Sequence, residues 1–189
     1  DLEMNYLDWS YANEINQANT DASYLYEELR KRGIPAVIME PLLGGRLVND
    51  LPQYVVDELK KREPERSVAS WAFRYAGTPE GVLCVLSGMT YMEHLKDNLI
   101  TYCPLQPLTE EEQRFLDTKI AHQIMEEETI PCNNCEYCMP CPYGIDIPGN
   151  FLHYNKWKVD GRLPENPKDK NYQKNRRDFL ISLDRAVPR

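Results

Sequence analysis

The segment Ile34-Pro35-Ala36-Val37-Ile38-Met39 is short and nearly continuous in its apolar character. Such a run is typical of a β-strand that is buried on both faces, as strands of parallel sheets are. The segment Val82-Leu83-Cys84-Val85-Leu86 repeats the pattern. Because helical patterns precede, separate and follow the two runs, we predict parallel strands in a sheet that is covered on both faces.

Four amphipathic helices are predicted around these two strands. The first lies within residues 21–33, where apolar side chains share one face and Gly33 ends the helix. Each of the four begins at a residue type that favours helix starts. In chain order, these starts are Thr20 or Asp21, then Pro52, then Ser67, and then Thr90, with Glu93 completing a capping box.

The second half of the chain has a different character. Thr109 with Glu112 predicts a capped helix, and a short amphipathic segment runs from Phe151 to Trp157. Residues 161–177 are polar and interrupted by prolines, which indicates a linker or a surface arm. We therefore divide the chain into three segments. They are a first domain at 1–108, a helix with a cysteine-rich segment at 109–160, and an arm with a short C-terminal helix at 161–189.

Composition excludes several classes of protein. The 189 residues carry a net charge of −8, and their mean hydropathy is −0.61. An acidic balance argues against a nucleic-acid or anionic-membrane partner, and no apolar run approaches the roughly 18–20 residues of a membrane span. The chain opens with Asp1 and has no leader sequence, so we expect it to be a fragment of a longer protein.

Four of the six cysteines lie within ten residues, and they carry the clearest chemical signal. They are Cys132, Cys135, Cys138 and Cys141. Disulfides at this spacing would mostly close small, strained rings, so we expect reduced thiols in a cytoplasmic protein. Cysteines spaced by two residues on one loop suit a [4Fe–4S] cluster, in which each iron takes one thiolate.

Two details leave the identity of this site open. Bacterial ferredoxins have three residues before the last cysteine of the run, which binds a second cluster, whereas here Cys138 and Cys141 are separated by two. Cys141 is therefore either the fourth ligand or a separate thiol. A zinc site is an alternative, although zinc usually takes two Cys pairs roughly 12–20 residues apart. A redox-active or inert group of thiols is a third interpretation.

The remaining cysteines and histidines have simpler interpretations. Cys84 and Cys103 lie in apolar or Pro-flanked contexts and are predicted to be inert core or sub-surface thiols. His94, His122 and His153 are predicted to be surface or helix histidines rather than catalysts.

Several segments, in this order, resemble parts of the aldo/keto reductase family. Asn5–Trp9 (NYLDW) is similar to its sixth strand, Met39–Leu47 (MEPLLGGRL) to the loop after its seventh, and Val85–Asn98 (VLSGMTYMEHLKDN) to its last strand and helix. With the cysteine run and Gly144–Pro148 (GIDIP), the chain resembles the branch that carries a C-terminal ferredoxin-type domain.

This resemblance implies a specific fold and activity. The expected fold is α/β, namely the C-terminal half of a (β/α)8 TIM barrel followed by a small, mainly helical ferredoxin-like Fe–S domain. The intact family member would be an NAD(P)-dependent oxidoreductase that interconverts small carbonyl and alcohol substrates. The family's catalytic residues belong to the half that is absent here, so no catalytic residue is expected and this chain alone should be inactive.

The resemblance also assigns residues to a nicotinamide dinucleotide, NAD or NADP. Met39 replaces the tyrosine that stacks on nicotinamide in many reductases, and Asp1 falls where the family has a glutamine on the carboxamide. Gly88 and His94 stand where NADP-using members place two cations, so NAD or relaxed use is expected. The implied cofactor-binding residues are Met39, Glu40, Pro41, Leu42 and Gly44 on one loop, Ser87, Gly88 and Met89 on another, and Asp97 with Asn98 on the last helix.

Two other functions are compatible with the same residues. The cysteine-rich segment could serve as a ferredoxin-like module that exchanges electrons with a partner and has no catalysis of its own. It could also be a zinc- or cluster-stapled structural domain.

Overall fold

A computed structural model describes residues 1–15, 21–49, 51–132 and 134–186. The chain divides into two compact units, Asp1–Glu126 (unit 1) and Glu127–Arg189 (unit 2).

Unit 1 contains a parallel sheet of three short strands. They are β1 (Leu2–Glu3), β2 (Ala36–Met39) and β3 (Val82–Val85), in the spatial order β1-β2-β3. Ile38 of the central strand is aligned with Leu2 on one side and with Val85 on the other. The two apolar runs therefore form neighbouring parallel strands, as predicted.

Eight α-helices of the described residues belong to unit 1, together with two irregular helical segments. The α-helices are α1 (Asp8–Ile15), α2 (Ala22–Lys31), α3 (Arg46–Asn49), α4 (Gln53–Arg62), α5 (Val68–Gly77), α6 (Met92–Tyr102), α7 (Glu110–Arg114) and α8 (Ala121–Glu126). A 3-10 turn spans Leu43–Gly45, and a π-helical segment, Phe115–Ile120, joins α7 to α8.

The core of unit 1 lies where β2, α4, α5 and the π-helical segment pack together. Ile38, Leu59, Trp71 and Leu116 are all buried there. Helix α5 contributes most to this core, because every residue from Ser70 to Ala76 is buried. Among them, Arg74 is nearly inaccessible, and its guanidinium binds Glu63 at 2.7 Å and Glu112 at 3.4 Å.

Three of the predicted helix starts are confirmed by their hydrogen bonds. The Asp21 carboxylate accepts from the Tyr24 N–H, and the Ser67 hydroxyl accepts from the Ser70 N–H. Thr109 and Glu112 form the expected reciprocal capping box. The alternative N-cap Thr20 lies outside the described residues. These predictions succeed because a cap depends on residues within a single turn.

Two local predictions are wrong. Thr90 does not cap α6, whose N-cap is Tyr91, without a side-chain bond to the backbone. Strand β3 is not buried on both faces either, since Leu83 is 69% exposed. Strand β3 lies at one edge of the sheet with β2 as its strand partner, and the described elements leave both Leu83 and Cys84 of β3 in contact with solvent.

Unit 2 contains two helices and a long loop among its described residues. The helices are α9 (Ile147–Val159) and α10 (Tyr172–Ala186). They pack through aromatic rings, with Phe179 against His153 at 4.8 Å and against Trp157 at 5.5 Å between ring centroids. The Asp146 carboxylate caps α9 by accepting from the Gly149 N–H at 2.9 Å.

The predicted fold class is therefore corrected. The structure is mostly helical, about 55% helix, with one small three-stranded sheet, and a TIM half-barrel followed by a ferredoxin domain is not what it shows. Asn5–Trp9, expected to be part of a strand, forms a turn and the start of α1. The three strands of the described residues form an open sheet and are too few to close a barrel, so helices supply most of the core.

None of the described helices is long and apolar enough to cross a membrane.

Candidate functional site

The four cysteines of the run lie on the loop that leads from α8 to α9. Cys135 and Cys138 are exposed, and Cys132 and Cys141 are partly buried. None of the four forms a disulfide, although all lie in the described part of the chain. Cys135 and Cys138 therefore lie at the surface of unit 2.

One end of this loop is bonded to α9, and the other end leads directly into α9. Asn155 of α9 forms two hydrogen bonds with the backbone of Ile130, two residues before the first cysteine. Its Oδ1 accepts from the Ile130 N–H at 2.8 Å, and its Nδ2 donates to the Ile130 carbonyl at 2.7 Å. At the other end, the Gly144 N–H donates to the Cys141 carbonyl at 3.0 Å, just before the Asp146 cap. The loop is thus tied down on both sides of the cysteines.

Between these ties, the backbone turns sharply. Asn134 and Glu136, on either side of Cys135, have positive φ angles of 55° and 61°. Residues other than glycine seldom adopt this conformation, and asparagine is among those that tolerate it best. Left-handed residues let a short segment turn sharply, and a sharp turn is needed for neighbouring cysteines to face one ion or cluster.

The donor set suits a metal, but the sulfurs are not gathered around a common point. Nowhere in the described ranges do three or more His, Cys, Asp or Glu side chains form a group able to hold a metal ion. Metal-binding loops commonly reach their final geometry only with the metal present, because binding and local folding are coupled. The cysteines therefore fit an iron–sulfur cluster or zinc by chemistry, and binding would have to draw the loop closed.

The residues assigned to the dinucleotide lie at the carboxyl ends of β2 and β3. Met39 ends β2 and is followed by Glu40, Pro41, Leu42 and Gly44. A second group, Ser87, Gly88 and Met89, comes shortly after β3. Since β2 and β3 are neighbouring parallel strands, both groups lie at the edge of the sheet that the carboxyl ends of its strands form. Parallel sheets bind ligands at this edge.

The loop after β2 is fixed by its own Glu40. This residue has a φ of 54°, its carboxylate accepts from the Gly44 N–H at 2.6 Å, and its carbonyl accepts from the Leu43 N–H at 3.0 Å. These bonds close a compact turn whose next residue, Gly44, is exposed.

Asp97 and Asn98 both face into unit 1 from α6. The Asp97 carboxylate accepts from the Ser67 hydroxyl at 2.5 Å, and Asn98 Nδ2 donates to the Ser87 hydroxyl at 2.9 Å. These bonds give the two residues a role in holding α6 against α5 and against the loop after β3. The structure brings Asn98 together with Ser87, as a shared binding edge requires.

Two further residues, Asn5 and Asp8, lie near this edge and were not predicted from the sequence as site residues. Asn5 Nδ2 donates to the Glu40 carbonyl at 3.0 Å and to Asp8 Oδ2 at 2.6 Å, so it connects the segments after β1 and β2. Burial raises the pKa of Asp8, and its Oδ1 is buried with no hydrogen-bond partner. Both residues lie within five positions of the end of β1. Polar residues after a strand of a parallel sheet are candidates for ligand binding, and this position could have indicated them from the sequence.

A surface cleft occupies the opposite end of the sheet. It is lined by residues around Tyr26, Arg30, Ile34 and Glu80, which precede β2 and β3. The Arg30 guanidinium and the Glu80 carboxylate bridge it at 3.1 Å. None of the predicted cofactor residues lines this cleft.

The two remaining cysteines and the three histidines lie outside both candidate sites or on helices. Cys84 and Cys103 are exposed, so the prediction of core or sub-surface thiols is wrong for both. His94, His122 and His153 all lie on helices, as expected. His153 is the buried member, with its Nε2 3.3 Å from the Phe179 carbonyl.

No protein-family model, no curated protein and no solved structure matches this chain.

Proposed function

We propose that this chain is part of an NAD(P)-dependent oxidoreductase of the aldo/keto reductase type, whose unit 2 binds a [4Fe–4S] cluster. The observation that carries the proposal is the loop before α9, where four cysteines lie within ten residues, two of them exposed and two partly buried, and none is in a disulfide. The cluster, when bound, would supply one-electron transfer or a structural staple to this unit.

The loop itself supports particular ligand roles. Cys132, Cys135 and Cys138 share the two-residue spacing, and the left-handed residues Asn134 and Glu136 lie within that part of the loop. Cys141 precedes Pro142, which restricts the backbone just after the last sulfur. We therefore assign the first three thiolates to one cluster and give Cys141 a distinct role, as fourth ligand or as separate thiol.

Unit 1 supports dinucleotide binding. Eight residues implied by the family resemblance lie at the carboxyl ends of two neighbouring parallel strands, where parallel sheets bind ligands, and Asn98 of α6 is bonded to one of them, Ser87. Small residues at Gly44 and Gly88 allow close approach of a phosphate-bearing ligand. The substrate class that the resemblance implies is a small carbonyl compound or alcohol.

Anaerobic reconstitution of the purified chain tests the cluster. We expect a brown protein with the broad visible absorption of an iron–sulfur cluster and about four irons per chain. Serine at Cys132, Cys135 or Cys138 should remove most of the iron, and Cys141→Ser should remove less. Cys84→Ser and Cys103→Ser are the matched controls, since both thiols are exposed but lie outside the run.

Three outcomes would contradict this assignment. Equal loss at all four positions would indicate one self-contained four-cysteine site without a special role for Cys141. A colourless protein that retains stoichiometric zinc would replace the cluster with a structural zinc site. Failure to bind either metal would leave the group of thiols without a metal function.

A gain-of-charge variant tests the dinucleotide site. A side chain added at Gly88 would meet no atom within 4 Å, so Gly88→Lys is sterically acceptable. The new cation should favour the 2′-phosphate and tighten NADPH binding about tenfold relative to NADH, as measured by nucleotide fluorescence. Gly88→Gln controls for size. An identical response of both variants, or no nucleotide binding at all, would contradict the assigned edge.

The proposal also predicts a missing activity. The resemblance assigns no catalytic acid to this chain, and general acid catalysis contributes roughly 10²–10⁴-fold to such reactions. We expect no oxidation of NADH or NADPH by the isolated chain with a panel of aldehydes. Turnover that persists through purification would contradict this expectation.

A further inference from the structure

Helix α6 carries its apolar stripe on the side that faces solvent. Met92, Leu95 and Leu99 are 60%, 37% and 49% exposed. At 100° per residue these three positions share one face of the helix. The opposite face carries Asp97, Asn98 and the buried Thr101, whose hydroxyl donates to the Asp97 carbonyl at 3.0 Å.

This arrangement is the reverse of an ordinary surface helix, whose apolar stripe faces the core. Polar residues hold α6 against unit 1, as Asp97 and Asn98 do through Ser67 and Ser87. The apolar stripe contributes little to that attachment, and an exposed apolar patch of this kind usually marks an interaction surface.

We propose that α6 pairs with the same helix of a second copy of this chain. The stripe has the spacing i, i+3, i+7, which is the seam of two packed helices. In an antiparallel twofold pair, Met92 lies against Leu99 of the partner subunit, and Leu95 lies near the axis. The seam is therefore complementary to itself, as an interface between identical copies requires.

The charges on α6 also favour a second copy. Glu93 and Lys96 lie on one flank of the stripe, and both are exposed. The antiparallel pairing brings Lys96 within reach of Glu93 of the partner subunit, and the twofold axis repeats the contact. These contacts between opposite charges of the two copies stabilise one register and disfavour a parallel pairing.

The exposed apolar surface of α6 suits a weak dimer. Ile100 on the helix and Tyr91 just before it are exposed as well as the stripe. A standard interface buries about 800 Å² per partner, and a seam made by one short helix covers less than that. We therefore expect a reversible dimer.

Sedimentation velocity of the full 189-residue chain tests the proposal. We expect a monomer–dimer equilibrium with a dissociation constant on the order of 10 µM. Leu95→Glu should raise this constant more than about tenfold, because it buries a carboxylate in the apolar seam. Tyr24→Glu is the matched control, since Tyr24 is exposed on α2, away from α6.

Charge exchange distinguishes pairing of two copies from nonspecific association. Glu93→Lys and Lys96→Glu should each weaken the dimer several-fold, and the double variant should restore it, because the flank contacts are reformed with opposite signs. Circular dichroism should be unchanged in every variant, since all the substituted side chains are exposed in the monomer.

The proposal is overturned by a chain that stays monomeric up to about 100 µM. It is also overturned by a dimer that is indifferent to Leu95→Glu, or by a double charge variant that is weaker than either single variant. None of these measurements depends on metal or nucleotide, so the result is independent of the proposed oxidoreductase function.

Discussion

The β2 side of unit 1 and its β3–α6 side are built from similar sequence but differ in burial. Ile38 on β2 is fully buried, whereas Leu83 on β3 is 69% exposed. Helix α5 buries seven consecutive residues, whereas α6 turns its apolar stripe outward. Apolar residues therefore have two different locations in this molecule. On the β2 side they form the core, and on the β3–α6 side they form an exposed surface.

The largest expected effect tests this contrast directly. Ile38→Ala should lower the free energy of unfolding by about 3 kcal/mol, because it removes buried methyl groups and leaves a cavity in the core. Leu83→Ala should change it by less than about 0.5 kcal/mol, because the side chain is already in contact with water. Urea denaturation monitored by circular dichroism measures both. Equal losses would show that β3 is covered as completely as β2.

A smaller effect is expected at the starts of the two helices. The Ser67 hydroxyl caps α5 and also donates to Asp97 of α6, so Ser67→Ala should cost about 1 kcal/mol. Thr90→Ala should be nearly neutral, since the cap predicted there is not formed. Both variants are compared in the same urea titration. A cost at Thr90 that matches the cost at Ser67 would restore the capping box inferred from the sequence.

The smallest effect is a pH dependence on the buried side. Tyr75 donates to Asp117 at 2.7 Å, and burial raises the pKa of Asp117 above its usual value. The folded chain then holds this proton more tightly than the unfolded chain. Stability should therefore decrease as the pH rises from the unfolded pKa of about 3.8 through the higher folded pKa.

Asp117→Asn keeps an oxygen acceptor for Tyr75 and removes the titration. The slope of unfolding free energy against pH should flatten relative to the unsubstituted chain over this acidic window. Asp57→Asn, at an exposed position on α4, is the control. A slope unchanged by Asp117→Asn would place the proton uptake at another group.

The sequence predicted much of the local structure of unit 1. The caps at Asp21, Ser67 and Thr109 and the parallel alignment of β2 with β3 were all anticipated. These features depend on residues close together in the chain, or on a pattern that only one kind of element accommodates. The residues that the family resemblance assigns to a dinucleotide lie together after β2 and β3 because of the same parallel order.

The failed predictions concern how much of the chain surrounds each element. The apolar run of β3 gave no sign that the strand lies at a sheet edge, and the resemblance to a barrel family gave no sign that helices would supply most of the core. The apolar stripe of α6 was read correctly as helical, but its orientation was not predicted. A periodic pattern marks a face without saying what that face contacts.

The cysteine loop shows both what the sequence determines and what depends on the tertiary structure. Sequence by itself determined which donor atoms are present, since four thiols at a two-residue spacing are typical of sulfur-ligated metal sites. Only the tertiary structure decided that Asn155 of α9 holds this loop at Ile130, and that the four described sulfurs are not gathered around a common point. Ligand identity is a property of nearby residues, whereas burial, orientation and distance depend on contacts between segments far apart in the chain.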